Sequence, residues 1–195
     1  MSDSRENERC PWRPNSLSTV ASPDDGRAHA LDAMPLRRVD TDIRDLLRAS
    51  LELLRRQADA FDISLTVRVD DNVPAAVPMD RVKIAWAITA VVGNALRYVR
   101  HGSTTMPGGS IVVHAGYDGV RRDISIDIQD DGPGMSRDML ALLSAGAAEG
   151  SLPTALGLTM VRDVVTAHGG SFSIDSETDR QSCGTRVRLT LPAAG

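Results

Sequence analysis

The sequence predicts a two-layer α/β sandwich built around a mixed sheet. Segments with apolar residues at helical spacing and segments in which apolar and polar residues alternate follow one another as helix, strand, helix, strand, strand, helix, helix, strand, strand. The chain has 195 residues and is 42% hydrophobic, so it can bury one core of ordinary size. Only 3% of the residues are aromatic, and the core must therefore consist of Leu, Ile, Val and Ala.

The first ordered elements are predicted between residues 40 and 78. Asp40 and Thr41 can cap a helix, because their side-chain oxygens accept hydrogen bonds from free N–H groups at a helix start. The strand Ile63–Val69 follows, since apolar and polar residues alternate along it, and Asn72–Pro78 is predicted to be a loop. The helix between cap and strand is predicted from apolar residues at three- and four-residue steps: Ile43, Leu46, Leu47, Leu51, Leu54 and Ala58.

The second helix is predicted over about Met79–Arg100 and ends at His101 and Gly102. It is apolar on nearly every side, which indicates a buried helix. The apolar residues form one stripe and most of the remaining surface: Val82, Ala85, Trp86, Thr89, Val92, Leu96 and Val99 in the stripe, and Ile84, Ala87, Ile88, Val91 and Ala95 beside it.

A hairpin, two helices and two further strands complete the predicted fold. The hairpin turns through Asp118 and Gly119, and Gly169 and Gly170 end the last helix. The predicted elements are the strands Ile111–Tyr117 and Arg122–Asp130, the helices Arg137–Leu143 and about Leu156–His168, and the strands Ser171–Asp175 and Thr185–Leu191.

Residues 1–36 are predicted to form a disordered tail or linker, because they are rich in Pro, Ser, Asp and Arg and show no apolar period. They include no apolar segment of the signal-peptide kind, and no apolar run of the sequence is long enough to span a bilayer. The net charge of −4 argues against generic binding to nucleic acid or to an anionic membrane. Cys10 and Cys183 form neither a disulfide framework nor a metal-binding pattern. We therefore expect a cytoplasmic chain with its ordered domain over residues 37–195.

Candidate functional residues occur in three segments of the chain. One of these segments is the predicted helix Met79–Arg100. Asn94 lies within it, with Arg97 three residues on and Tyr98 four residues on, so that Asn94 and Tyr98 share a face. A buried amide needs hydrogen-bond partners. Asn94 either bonds a neighbouring strand or offers its carbonyl oxygen to a hard cation such as Mg²⁺.

The second segment is the end of the hairpin. Asp130 has the parity of the three isoleucines that precede it, so a regular strand places its carboxylate on the side where the helices pack. A carboxylate there needs a donor, which the exocyclic amine of a purine would provide. The sequence Gly132-Pro133-Gly134 would let a flat ring lie against bare backbone, although such strings are also common in plain turns.

The third segment, Thr154–Leu158, opens the helix that ends near His168. Free N–H groups at a helix start attract phosphate, and Gly157 would allow a close approach. On its own this pattern is unspecific, because most helices begin without binding anything.

Together and in this order, the three segments resemble the ATP-binding domain of sensor histidine kinases, which shares its fold with gyrase, Hsp90 and MutL. The matching stretches are Gly93–Tyr98, Asp130–Met135, Leu156–Val161 and Ala167–Gly170, and the resemblance covers about Pro35–Pro192. It implies the Bergerat-type arrangement, in which a mixed, mostly antiparallel sheet is covered on one face by helices.

The resemblance also implies ATP and Mg²⁺ as cofactors and a role for each motif residue. Asn94, as the Mg²⁺ ligand, and Arg97, near the phosphates, would be the catalytic residues, and Asp130 would bind the adenine amine. Ser144–Pro153 would form a lid over ATP. The other implied binding residues are Tyr98 near the nucleotide, Gly132, Gly134 and Met135 around the base, and Thr154, Leu156, Gly157 and Leu158 at the phosphate-facing helix.

Three features depart from the family's usual pattern. Ala90 stands where relatives carry a second Asn or, in ATP-hydrolysing members, a Glu that activates water, so a gyrase-like or Hsp90-like hydrolase is not expected. Ala155 replaces a glycine of the last Gly-rich motif, and the Phe-bearing motif that usually precedes the lid is missing. Each departure would weaken the binding of nucleotide.

None of the four histidines has the setting of a phosphoacceptor on a helical hairpin. We therefore expect the acceptor histidine on a partner protein or a missing domain, with a response regulator downstream. Two alternatives stay open, namely an anti-sigma-factor-type serine kinase and a degenerate, non-catalytic module for ATP binding or interaction. The histidines are His29, His101, His114 and His168.

Overall fold

The computed structural model describes residues 19–20, 35–145, 153–179 and 183–193. Strands and helices alternate through these ranges in the predicted order, with three additional short strands. In chain order the elements are β1 (Thr19–Val20), β2 (Val39–Thr41), α1 (Ile43–Ala60), β3 (Ser64–Val69), β4 (Val77–Met79), α2 (Arg81–Tyr98), β5 (Ser110–Asp118), β6 (Asp123–Asp130), α3 (Arg137–Ala145), α4 (Pro153–Ala167), β7 (Ser171–Glu177) and β8 (Gly184–Pro192).

Six of these strands form one sheet in the order β1-β7-β8-β6-β5-β3, and β2 pairs with β4 in a separate two-stranded sheet. Strand β3 runs parallel to β5, whereas the other described neighbours are antiparallel. The predicted α/β fold with a mixed, mostly antiparallel sheet is confirmed.

The core lies between the large sheet and the helices, and it is aliphatic as predicted. Ile124, Ile126 and Ile128 of β6 are almost completely buried, and the sheet register places Val187 and Leu189 of β8 beside two of them. Burial of one such side chain stabilises the fold by about 1.5–3 kcal/mol. The strict alternation fixes which residues of each strand face the helices and therefore also the direction in which a strand's last residue points.

On the opposite, polar face of the sheet, hydrogen bonds between side chains of β6 and β8 also fix the pairing of these two strands. Asp127 is 6% exposed, and its Oδ1 accepts hydrogen bonds from Nε of Arg186 and Nε of Arg188, each at 2.8 Å. A carboxylate so far removed from water requires such donors, because an unpaired buried charge is strongly destabilising. These bonds hold β6 and β8 in the pairing that also aligns Asp130 with Thr185.

Two predictions near the first helix are wrong because a long-range strand pair was missed. Asp40 and Thr41 do not cap α1; they lie in β2, which pairs with β4. Strand β4 covers the last two residues of the segment predicted as a loop and Met79, which was predicted to begin the second helix. The cap is Asp42, whose Oδ1 accepts hydrogen bonds from the N–H groups of Arg44 at 2.7 Å and Asp45 at 3.4 Å. Three-residue strands carry too little alternation to be recognised locally.

Helix α2 is less buried than its composition predicted. It is capped by Asp80 and ends at Tyr98 rather than Arg100. Val82 is 78% exposed and Trp86 is 39% exposed, so the first part of the predicted apolar stripe does not face the core. Its last part, which includes Val92 and Leu96, is buried, as are neighbouring positions such as Ile88. No helix in the part of the chain that the structure describes combines the length and apolarity needed to cross a bilayer.

Two predicted flexible segments fall largely outside the described residues. Within the predicted tail, Thr19 and Val20 pair with β7, whereas residues 1–18 and 21–34 lie outside the description. Of the segment predicted as a lid, Ser144 and Ala145 belong to α3 and Pro153 begins α4, whereas residues 146–152 lie outside it. Helix α4 therefore begins three residues earlier than predicted.

His168 joins the end of α4 to the start of α2. Its side chain is 3% exposed, with Nδ1 2.7 Å from the Val164 carbonyl oxygen and Nε2 3.0 Å from the Asp80 backbone nitrogen. Because that nitrogen donates, Nε2 offers a lone pair and the ring is neutral, with its proton on Nδ1. Burial lowers the pKa of His168; Arg38 and Lys83 act in the same direction, while the Val164 carbonyl and Asp80 act against it.

The neutral state of His168 predicts a loss of stability in acid. A histidine whose folded pKa is lowered contributes stability above its unfolded pKa, near 6.5, and this contribution disappears as the pH falls below that value. We expect urea unfolding to show a smaller drop in the free energy of unfolding between pH 7.5 and 5.5 for His168→Leu than for the parent. At pH 7.5 the variant should itself be about 1–3 kcal/mol less stable.

His114→Leu is the matched control, because it removes a histidine from the polar face of the sheet, where the described contact of the imidazole is with Asp70 at 2.9 Å. Its acid-induced drop in stability should be no smaller than that of the parent, since the contact with Asp70 is an ion pair only when the imidazole is protonated. Equal drops for the parent and His168→Leu would contradict the assignment of a neutral, buried imidazole.

Candidate functional site

A cavity of about 180 Å³ lies between α2, the turn after β6, the start of α4 and the start of β8. It is walled mainly by apolar side chains, with a few polar groups among them, which is the usual make-up of a small-molecule pocket. The lining residues are Val91, Asn94, Ala95, Tyr98, Ile128, Asp130, Pro133, Gly134, Met135, Ser136, Met139, Thr154, Leu158, Thr185 and Val187.

Helix α2 supplies one wall through four residues that share a face. Val91, Asn94, Ala95 and Tyr98 are spaced three, four and seven residues apart, so they point in the same direction. Asn94 is partly buried, and its side-chain amide takes part in none of the hydrogen bonds among the described residues. Because no fully buried side-chain nitrogen or oxygen of these residues lacks a partner, the amide atoms must be open to the cavity or to solvent. Of the two interpretations left open for Asn94, the bond to a neighbouring strand is therefore absent from the described structure. The amide oxygen is available to a ligand in the cavity.

Asp130 ends β6 on the same side of the sheet as the buried isoleucines, in agreement with its parity. Its Oδ1 accepts a hydrogen bond from the Gly132 N–H at 2.9 Å. Burial raises the pKa of Asp130 to about 6, and the neighbouring charge of Asp131 adds to this, while the N–H groups of Gly132 and Thr185 act against it. A carboxyl group held at such cost in a cavity is typical of a functional site.

The turn after Asp130 is joined to the β7–β8 hairpin by backbone contacts. Gly134 has φ +75°, and a side chain there would collide with the carbonyl oxygen of Glu177. Gly184 has φ +144°, and a side chain there would collide with the carbonyl oxygen of Asp130. The Met135 N–H donates to Oγ of Ser176 at 2.8 Å. These contacts hold the turn after β6, the end of β7 and the start of β8 together beside the cavity.

Helix α4 closes the cavity beside Tyr98. The Tyr98 hydroxyl and Oγ1 of Thr154 are 2.8 Å apart, which ties the end of α2 to the first turn of α4. Leu158 is buried against the cavity, whereas Leu156 is half exposed on the outside of the helix. A side chain at Gly157 would meet nothing within 4 Å, so the helix presents open backbone there.

The structure brings most of the predicted binding residues into this one cavity. Arg97 is exposed in the last turn of α2, and Gly132 is buried below the Asp130 carboxylate. These two and the pair Leu156 and Gly157 do not line the cavity. The predicted residues that do line it are Asn94, Tyr98, Asp130, Gly134, Met135, Thr154 and Leu158.

Sequence reasoning missed the apolar walls and one buried hydroxyl. Thr185 is 6% exposed and stands in register with Asp130 across the β6–β8 pair. Its inward position follows from the alternation with Val187 and Leu189, but its neighbour follows only from the pairing of distant strands. The missed lining residues are Val91, Ala95, Ile128, Pro133, Ser136, Met139, Thr185 and Val187.

The described histidines lie away from the cavity. His101 stacks on Phe61 with ring centroids 4.2 Å apart, His114 bonds Asp70, and His168 is locked in the core. His29 lies outside the described residues. Among the residues that are described, no group of three or more His, Cys, Asp or Glu side chains could hold a metal ion. A metal ion in this cavity would need most of its ligands from a bound molecule.

Comparison with known proteins agrees with the geometry. Residues 79–195 match the family of histidine kinase-, DNA gyrase B- and HSP90-like ATPases. The histidine protein kinase DivJ of Caulobacter vibrioides is 33% identical over 164 residues, which cover 80% of this chain and 25% of DivJ. The chain thus spans only a quarter of that relative.

Solved structures show the same fold. Full-length ShkA in complex with AMPPNP aligns with a TM-score of 0.66 at 22% identity, over 82% of this chain and 32% of ShkA. The histidine kinase ThkA, in a complex with the response regulator TrrA, aligns with a TM-score of 0.63 at 19% identity, over 81% of this chain and 42% of ThkA. The chain belongs to the family of histidine kinase-, DNA gyrase B- and HSP90-like ATPases, and its domain is an ATP-binding catalytic domain of the histidine kinase type.

Proposed function

We propose that this chain is the ATP-binding catalytic domain of a two-component protein-histidine kinase. It would transfer the γ-phosphoryl group of ATP to a histidine on a partner protein or on a domain outside this chain. The observation that carries the proposal is the meeting of Asn94 and Asp130 in one cavity, although they lie far apart in the sequence. The amide oxygen of Asn94 could bind Mg²⁺, and the partly buried carboxylate of Asp130 could accept a hydrogen bond from the adenine amine.

The base of the nucleotide fits the half of the cavity next to Asp130. Met135 and Met139 on one side and Ile128 and Val187 on the sheet offer apolar surface to a flat ring. The ionised carboxylate of Asp130 would accept a hydrogen bond from the exocyclic amine of adenine. This bond would offset part of the cost of burying the charge.

The triphosphate fits the half next to Asn94 and the start of α4. The donor set agrees with Mg²⁺, which prefers oxygen ligands and is commonly held by one or two protein groups together with substrate phosphates. Asn94 would supply the protein ligand, and Arg97 would supply positive charge at the exposed end of α2. Bound Mg²⁺ would neutralise the charge on the phosphates. The open backbone at Gly157 and the hydroxyl of Thr154 would position the phosphates at the helix start.

The acceptor histidine is proposed to lie on another polypeptide or domain. The described histidines of this chain are held by Phe61, Asp70 and the core, and the carboxylate among the lining residues of the cavity, Asp130, is assigned to the adenine end rather than to the acceptor. Phosphoryl transfer relies mainly on positioning and charge neutralisation, so a separate acceptor can bring its own nucleophile. The complex of ThkA with TrrA supports a response regulator as the later partner.

The proposal is tested with ATP labelled on its γ-phosphate, Mg²⁺ and helical-hairpin domains that carry an acceptor histidine. An acid-labile phosphoprotein is the expected product. An acid-stable product would favour the serine kinase alternative. ATP binding without transfer to any acceptor, or no ATP binding at all, would favour the degenerate module.

Removal of the Asn94 amide should strongly reduce the effect of Mg²⁺ on nucleotide binding. For Asn94→Ala we expect the gain in ATP affinity that the parent shows on adding Mg²⁺ to fall by about tenfold or more, because one metal ligand is lost. Calorimetric titration with ATP, with and without Mg²⁺, measures this gain.

Asn72→Ala is the control for this titration, since Asn72 is an exposed residue that bonds only the carbonyl oxygen of Tyr117. It should behave like the parent. An Mg²⁺ effect in Asn94→Ala as large as that of the parent would remove Asn94 from the metal site.

Asp130→Asn should separate stability from binding. A carboxyl group whose folded pKa is raised destabilises the fold once it ionises, so the parent loses stability as the pH rises from about 4 to about 6. Urea unfolding should show that this loss, which amounts to at most about 3 kcal/mol, is absent in Asp130→Asn. At pH 7.5 the variant should be at least as stable as the parent, yet bind ATP about 10- to 100-fold more weakly because a charge-assisted bond is lost.

Asp131→Asn serves as the comparison, because Asp131 bonds the backbone and hydroxyl of Ser110 rather than facing the cavity. It should lower stability and leave the intrinsic affinity for ATP nearly unchanged. If Asp130→Asn bound ATP as tightly as the parent, the proposed hydrogen bond between Asp130 and the adenine amine would be wrong.

A further inference from the structure

Ser176, at the end of β7, occupies a hydrogen-bonding position that neither the motifs nor the cavity lining includes. Its Oγ receives the Met135 N–H at 2.8 Å and donates to the Gly184 carbonyl oxygen at 3.0 Å. The same Oγ lies 2.9 Å from Oγ1 of Thr185. One hydroxyl thus contacts the turn below the cavity, the start of β8 and a residue of the cavity wall.

The hydrogen-bond capacity of a hydroxyl fixes the direction of the third contact. A serine hydroxyl has one proton to donate and two lone pairs to accept with. The proton of Ser176 points to Gly184, and the Met135 N–H takes one lone pair. The short contact with Thr185 is therefore a hydrogen bond in which the Thr185 hydroxyl donates and Ser176 accepts.

This direction determines what Thr185 offers to the cavity. With its only proton committed to Ser176, Oγ1 of Thr185 presents lone pairs and no donor. Thr185 lines the cavity in register with Asp130, whose carboxylate also only accepts when ionised. The two neighbouring side chains form a pair of acceptors, which suits a group with two N–H hydrogens and repels a carbonyl oxygen.

We propose that Ser176 is a positioning residue which, by holding the proton of Thr185, makes the cavity select a 6-aminopurine over a 6-oxopurine. The inference rests on the proposed function in one respect, namely that the cavity binds the base of a nucleotide. Ser176 itself touches no ligand. Its role is to prevent the Thr185 hydroxyl from rotating and donating to an oxo group.

The test compares ADP with IDP, which carry an amino and an oxo group at the same position of the purine. Calorimetry on the full chain should give tighter binding of ADP for the parent, and the ADP-to-IDP affinity ratio should fall about fivefold or more in Ser176→Ala. If Ser176 only braced the turn at Met135, both affinities would fall together and the ratio would stay at its parental value. That result would overturn the inference.

Ser173→Ala is the matched control, since Ser173 belongs to the same strand but has the opposite parity, toward the polar face of the sheet. Its ADP-to-IDP ratio should equal that of the parent, and a fall there as large as in Ser176→Ala would count against a specific role for Ser176. Thermal unfolding checks that each variant is folded.

If Ser176→Ala does not fold, substitutions of Thr185 provide a second test of the same hydrogen bond. Thr185→Ser retains the hydroxyl and should retain the ratio, whereas Thr185→Val removes the acceptor and should lower it. A parental ratio in Thr185→Val would overturn the inference. Failure of the parent to bind ADP would overturn the proposed function and this inference together, whereas selective ADP binding with an unchanged ratio in the variants would overturn this inference alone.

Discussion

The burial of one carboxylate, that of Asp130, is the constraint on which the site depends. Ionisation of Asp130 at the end of β6 destabilises the fold, because partial burial disfavours the charged form and raises the pKa of the carboxyl group to about 6. The fold tolerates it because backbone N–H groups reach the carboxylate, because Gly132 leaves room for the carboxylate itself, and because Gly184 leaves room for the Asp130 backbone carbonyl. The register of β6 against β8, held on the other face by Asp127 and its two arginines, keeps those donors in place.

Local patterns in the sequence predicted the site residues that regular elements present by themselves. Helical spacing placed Asn94 and Tyr98 on one face, and strand parity placed Asp130 toward the helices. Thr185 and Ser176 could not be found in this way, because their importance depends on which distant strands pair and in which register. Strands β2 and β4 were missed for the same reason, because a three-residue strand can be recognised only when its partner strand is known.

The error at Val82 and Trp86 shows a limit of composition as a guide to burial. A helix with apolar residues on nearly every side was predicted to be buried, but burial depends on whether another layer exists on each side. Here α2 packs on the sheet, on α1 and on α4. The positions that face these elements are buried, whereas Val82 and Trp86 point away from them.

In the proposed function the nucleotide site and the acceptor histidine lie on different domains or polypeptides, and this separation would limit the loss of phosphate to water. A cavity that contained its own nucleophile or water-activating base would be open to transfer of phosphate to water. The residue one turn before Asn94 on α2 is Ala90, and the lining residues of the described cavity include no histidine. On the proposed function, the chain holds ATP and its charge while the acceptor completes the reacting pair. On the same proposal, Asn94 and Asp130 would serve nucleotide binding alone, which agrees with Ala90 at the position where hydrolases of the resembling families carry an activating Glu.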